Sequence, residues 1–177
     1  RGLIQAFTVP RAVGQDAYEY RLEATRDGVT RETEWQPAPQ WSNVTDGTLR
    51  FVVSADSQTE NPAWIAITKR MAKQQPDLLI MTGDMVSNGR DDAQWDDQFF
   101  TPAHDLLQVT PLYPVEGNHE MESPILDDLF RTPAPGGRGL TWSQQVGDVL
   151  HLNRRHAGLL ARHEQLWVGG THAGGHG

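Results

Sequence analysis

Three short polar clusters hold the side chains of this 177-residue sequence that are best placed to do chemistry. They are Ser54-Ala55-Asp56-Ser57-Gln58, Thr82-Gly83-Asp84-Met85-Val86-Ser87-Asn88-Gly89 and Val115-Glu116-Gly117-Asn118-His119-Glu120. Asp56 and Asp84 offer carboxylates, Gln58 and Asn118 offer amide oxygens, and His119 offers an imidazole. That mixture of oxygen and nitrogen donors suits hard or borderline cations. Gly83 and Gly117 precede Asp84 and Asn118, where a glycine lets the backbone turn sharply and aim the next side chain into a site. A lone Gly-Asp or Asn-His pair is an ordinary turn. Three such clusters in order, each after an apolar run, favour a site.

The elements that must present these clusters follow from periodicity. Arg50 to Ala55, Asp77 to Thr82 and Leu112 to Val115 are short apolar runs of the buried-strand type. Asn61-Pro62 is a helix start, and Trp64, Ile67 and Met71 follow at helical spacing as inward residues to about Gln75. Asp91 to Leu107 is a second helical stretch, with Trp95, Phe99 and Leu106 inward and Pro102 as its kink or break. Strand, helix, strand, helix, strand is α/β order with right-handed crossovers. Ligands of open α/β sheets bind beyond the carboxyl ends of the strands. Asp56, Gln58, Asp84, Asn118 and His119 should therefore converge.

Residues 1–40 have a different character. Tyr18, Tyr20 and Leu22 alternate with Glu19, Arg21 and Glu23, and Asp27-Gly28 is a hairpin turn signal before Thr30 to Trp35. Pro37 and Pro39 read as breaks leading into a linker over 41–48. Few strands cannot bury a core alone, so this segment is expected to be the end of a β-sandwich. Five of seven histidines fall after Gly147, and residues 151–177 are expected to be a His- and Gly-rich tail, disordered or translated in a shifted frame.

Composition removes several functions. There is no cysteine, so disulfides, thiolate metal sites and cysteine nucleophiles are absent. The net charge of -8 argues against a nucleic-acid-binding surface. No apolar run approaches the ~18 residues of a membrane span.

The ordered pattern Asp56-x-Gln58, Gly83-Asp84 and Gly117-Asn118-His119-Glu120 resembles the signature of the calcineurin-like metallophosphoesterases, over roughly residues 49–122. Trp142 to Leu150 resembles that family's next strand. The strands around Tyr18 and Asp27-Gly28 resemble the end of the fibronectin-III-like domain that precedes the catalytic domain in purple acid phosphatases.

The resemblance implies an α/β fold, the first half (residues 49–150) of a four-layer α/β/β/α sandwich. It implies two divalent metal ions (Mn, Zn or Fe) and a phosphate-ester substrate. Asp56 and Gln58 would serve the first metal, Asp84 would bridge both, Asn118 would serve the second, and His119 would be the general acid. Glu120 would orient His119 or the backbone. An extracytoplasmic or secreted location is implied by the same likeness.

Two departures stand out. Gln58 occupies a position that is His in many members, and Ser87 stands where purple acid phosphatases have the iron-binding Tyr and protein phosphatases have Asp. The family also completes its site with a later lone His and a Gly-His-x-His pair, which the sequence after Glu120 does not supply. The chain is thus expected to be a fragment of low activity. The rival expectations are a catalytically inactive phospho-ligand or partner-binding module and a His-rich metal-binding protein.

Overall fold

A computed structural model describes residues 18–38, 49–59, 61–120 and 123–130, together with the strand backbones of 141–146, 149–154 and 167–170. Its centre is a three-stranded parallel sheet of β5 (Phe51–Ser54), β6 (Leu78–Met81) and β7 (Leu112–Pro114), in the order β5-β6-β7. β6 is the middle strand and all four of its residues are buried, as a strand covered on both faces requires. Its side chains alternate between faces. Leu79 and Met81 enter the main core, while Leu78 and Ile80 meet Tyr113 in a second cluster.

Register is what makes the sheet useful. Ser54 pairs with Met81, and Met81 pairs with Pro114. The three strands therefore finish side by side, and the three polar clusters leave from one edge.

The helices between the strands follow from local chemistry. α1 (Asn61–Ala72) starts at Asn61-Pro62 as its sequence dictates. It closes through a turn in which Gln75 adopts φ 48° just before Pro76. The buried stripe differs from expectation: Trp64 is 2% exposed, but Ile67 is 42% exposed and Thr68 is buried instead. The helix is rotated so that Thr68 faces the next helix, where its hydroxyl reaches the Pro102 carbonyl at 3.2 Å. Ile67 is thereby turned aside. Trp64 stacks on Phe99 with ring centroids 5.9 Å apart. Trp64→Ala should destabilise the fold by about 3–5 kcal/mol, measured by chemical denaturation.

The second helical stretch is continuous, so of the kink or break expected at Pro102 the break is absent. It comprises α2 (Asp92–Gln94), a π-helical turn (Trp95–Phe100) and α3 (Thr101–Leu107). Asp91 caps it, accepting the Ala93 N–H at 3.1 Å. The Thr101 N–H donates to the Asp96 carbonyl five residues back. This wider turn ends just before Pro102, so the ring enters at the start of a new α segment and removes no interior bond. Trp95, Phe99 and Leu106 are buried as expected. α4 (Pro124–Leu129) is capped by Ser123, whose Oγ accepts the Ile125 N–H.

Ahead of this unit lie two small ladders. β1 (Glu19–Tyr20) pairs antiparallel with β4 (Gln36–Pro37), and β2 (Glu23–Arg26) with β3 (Val29–Glu32). Asp27 and Gly28 turn the second hairpin with φ 52° and 76°, the left-handed pair of a type I′ turn. Pro37, expected to break the ladder, sits in it opposite Glu19, on an edge strand that tolerates a missing N–H. Every residue of β2 and β3 is exposed. Among the described residues these strands therefore form no sandwich core. Tyr20 ties the segment to the α/β unit, its hydroxyl donating to the Gln108 carbonyl at 2.9 Å.

β8 (Thr141–Val146), β9 (Val149–Arg154) and β10 (Trp167–Gly170) form an antiparallel sheet in the order β8-β9-β10. β10 and the end of β9 fall in the stretch read from composition as a tail. His156, His163, His172 and His176 lie outside the described residues.

Candidate metal centre

Each strand end makes an abrupt turn. Asp56 and Asp84 both adopt left-handed backbone, φ 52° and 54°, and Gly83 between the strands has φ 107°. Asp is among the few side chains that accept this conformation, and such strain collects at functional sites. The first two turns are joined by backbone: the Asp56 N–H donates to the Gly83 carbonyl at 3.3 Å, and the Gln58 N–H to the Asp84 carbonyl at 3.4 Å. The third turn joins them through side chains. The Asp84 carboxylate accepts the His119 N–H on Oδ1 at 3.0 Å. Gly117 packs directly against Asp84, and a Cβ there would fall on its backbone N and its carboxylate. Glycine is required at this point by the close approach of two turns.

Glu120 holds the arrangement from beneath. It is fully buried. Its Oε2 accepts the N–H groups of Asp84 (2.9 Å) and Gly117 (2.7 Å). Its Oε1 accepts those of Met85 (2.8 Å) and Val86 (3.3 Å). Burial pushes the Glu120 carboxyl above its usual range, and the four backbone donors work against that push. Because all four partners donate, the ionised form satisfies both oxygens at once. Sequence reasoning left the role of Glu120 open between ring and backbone. The structure assigns it to the backbone, of both the second and the third turn.

His119 is oriented by the second turn. Its Nδ1 lies 3.1 Å from the Ser87 carbonyl. A carbonyl can only accept, so Nδ1 carries the proton and Nε2 is the nitrogen left to face a ligand. The His119 carbonyl in turn accepts the Gly89 N–H at 2.9 Å.

The structure thus brings the turns of Asp56, Gln58, Asp84 and His119 into one bonded cluster, and it places Asn118 at the exposed tip of the third turn. Among the described residues no group of three or more His, Asp or Glu side chains is gathered at metal-binding spacing. Any cation here would depend on the amide oxygens as well. One of these is conspicuous: Gln58 Oε1 is buried without a hydrogen-bond partner among the described residues. An orphaned buried acceptor costs about 1–3 kcal/mol, and a cation beside it would remove that cost. Oδ2 of Asp84 also has no protein partner among the described residues. The donors present therefore fit a hard cation.

A family model described as calcineurin-like phosphoesterase matches residues 49–172. The chain belongs to that family. No curated protein matches the chain. Among solved structures, a purple acid phosphatase from yellow lupin (Lupinus luteus) seeds superimposes with a TM-score of 0.54 at 14% identity, over 73% of this chain and 28% of that one. At that identity the likeness is one of fold. The chain spans little more than a quarter of the lupin protein's length. The match confirms the mixed α/β fold, with its parallel sheet, as the first part of a phosphoesterase domain. The family match also runs past Leu150 to residue 172, through β10.

Proposed function

We propose that this chain carries the strand-end half of a metal-dependent phosphoesterase site, and that the protein hydrolyses a phosphate ester. The observation that supports it best is the bonded cluster of three strand-end turns, with an unsatisfied Gln58 oxygen and an Asp84 oxygen left to it. Asp56 and Gln58 would hold one divalent cation, Asp84 would bridge to a second, and Asn118 would serve that second ion through its amide oxygen. Two such ions, when bound, acidify water and neutralise charge on the phosphoryl oxygens.

The chain's own residues supply the rest. Asp84, fixed at Oδ1 by the His119 N–H, keeps its other oxygen aimed by the same bond. His119, with Nδ1–H given to the Ser87 carbonyl, presents Nε2. In the imidazolium form that nitrogen donates its proton to the departing alkoxide oxygen. In the neutral form it accepts the proton back from water.

The donor set is oxygen-rich, which favours Mn²⁺ over Zn²⁺. Ser87 offers no phenolate, so a visible charge-transfer band is not expected. Gln58→His should raise Zn²⁺ affinity by roughly tenfold or more, since imidazole is the better zinc ligand. Competitive calorimetry with Mn²⁺ and Zn²⁺ measures this, and an unchanged Zn²⁺ affinity would remove Gln58 from the ligand set.

The functional test is turnover of an aryl phosphate monoester and diester, with and without Mn²⁺. Metal-dependent release of the phenol supports the reading. Saturable phosphate binding with no turnover would replace hydrolysis by recognition of a phosphorylated ligand.

A further inference from the structure

Residues 87, 88 and 89, the far end of the second turn, are each held by a side chain from the helix that follows. The Ser87 N–H and Oγ both donate to Gln98 Oε1, at 2.8 and 3.1 Å. The Asn88 N–H donates to Gln94 Oε1 at 2.8 Å. Trp95 Nε1 donates to the Gly89 carbonyl at 3.0 Å. Trp95 and Gln98 belong to the π-helical turn Trp95–Phe100, and Gln94 directly precedes it. Single π turns inside helices are rare, and they concentrate near functional sites.

Ser87 is also the residue whose carbonyl takes the His119 Nδ1 proton. A backbone N–H can only donate, so the Gln98 atom facing it is the oxygen, and its amide orientation is fixed. The Ser87 carbonyl lies in the same planar peptide as the Asn88 N–H, which Gln94 holds, and Gln98 ties down the Ser87 nitrogen and hydroxyl before it, so the carbonyl has little freedom to swing away. We infer that Gln94 and Gln98, at the entry to the π turn and within it, are positioning residues: Gln94 holds the peptide that carries the Ser87 carbonyl, Gln98 holds the Ser87 nitrogen and hydroxyl before it, and through that carbonyl they set the ring orientation and the Nδ1–H tautomer of His119. The inference rests on the reading of His119 as the proton donor for its catalytic meaning, but not for its structural content. A neutral relay of this kind does without a charged partner for the imidazole: no carboxylate bonds the ring among the described residues.

The experiment is a long-range ¹H–¹⁵N spectrum of the histidine rings at alkaline pH, on the full chain, beside rates of aryl phosphate hydrolysis with Mn²⁺. Wild type should show His119 as the Nδ1–H tautomer. The double variant Gln94→Met with Gln98→Met, which keeps length but offers neither acceptor, should shift it toward Nε2–H. It should also lower kcat about tenfold to a hundredfold, with KM within about twofold. Restoring Gln94 alone, which returns the acceptor to the Asn88 N–H, should recover the wild-type tautomer. Retention of Nδ1–H in the double variant overturns the inference whatever the rate does. A tautomer shift with an unchanged rate upholds the positioning and instead removes His119 from the reaction. Should the double variant fail to fold, hydrogen exchange in the wild-type chain decides: the Ser87 and Asn88 amides should both be protected, and free exchange there overturns the inference.

Discussion

Glu120→Gln is expected to cost more than any other single-atom exchange in the described part of the chain. The carboxylate accepts two backbone N–H groups on each oxygen. A glutamine must put its NH₂ group on one side or the other. Either way, two N–H donors face another donor in a fully buried position. At about 1–3 kcal/mol for each orphaned donor, the loss is about 2–6 kcal/mol. The midpoint of a urea transition should fall accordingly, whereas Asp105→Asn on the exposed face of α3 should move it by no more than about 0.5 kcal/mol. The damage is also directional. One pair of donors is Asp84 and Gly117, the other Met85 and Val86, so the second turn loosens whichever way the amide lies. Metal affinity should fall with stability. A variant of wild-type stability would show that the four contacts do not hold the turns.

Asp84→Asn should separate binding from folding. Asparagine keeps an Oδ1 for the His119 N–H and the shape of the side chain. Stability should therefore change by less than about 1 kcal/mol. What disappears is one negative charge at the point proposed to bridge two cations. Ligand charge count governs cation affinity, so Mn²⁺ binding should weaken on the order of a hundredfold or more. Calorimetric titration gives the number, and thermal melting in the absence of metal gives the control. Mn²⁺ affinity unchanged by this substitution would move the site away from the strand ends.

Much of this architecture was legible in the sequence, for a specific reason. A parallel strand buried on both faces is written as a plain apolar run, and Leu78–Met81 is such a run with a polar cluster directly after it. Once three runs of this kind are ordered with helices between them, their polar ends must share an edge. The pairing of Ser54 with Met81 and of Met81 with Pro114 is that edge. The Asp27-Gly28 turn was equally plain, because few residue pairs tolerate two left-handed conformations.

Other features were not legible, because they depend on rotation and on distant backbone. Ile67 and Thr68 differ by one position, and only the packing of α1 on α3 decides that the hydroxyl faces inward. Pro102 read equally as a kink or a break because periodicity does not reveal the π turn that makes room for it. Glu120 reaches amides as far as 36 residues away, and amides carry no side-chain signature. The same is true of Gln94, Gln98 and the Ser87 carbonyl, which stands where the family resemblance directs attention to a charged or phenolic group. The sandwich expected of residues 1–40 rested on alternation, the Asp27-Gly28 turn and a family resemblance. Alternation says that two faces differ, but not that one of them is covered, and β2 and β3 are exposed on both.

The central claim is that cations sit at the strand ends, between the turns of Asp56, Asp84 and Asn118. The most direct test is anomalous diffraction from crystals of the chain grown with Mn²⁺. The account predicts a peak within about 2.0–2.3 Å of an Asp84 carboxylate oxygen, with Asp56 or Asn118 also in reach and the Gln58 oxygen no longer orphaned. Peaks found only on histidines after Leu150, or only along the acidic face of Asp92, Asp96 and Asp97, would contradict it.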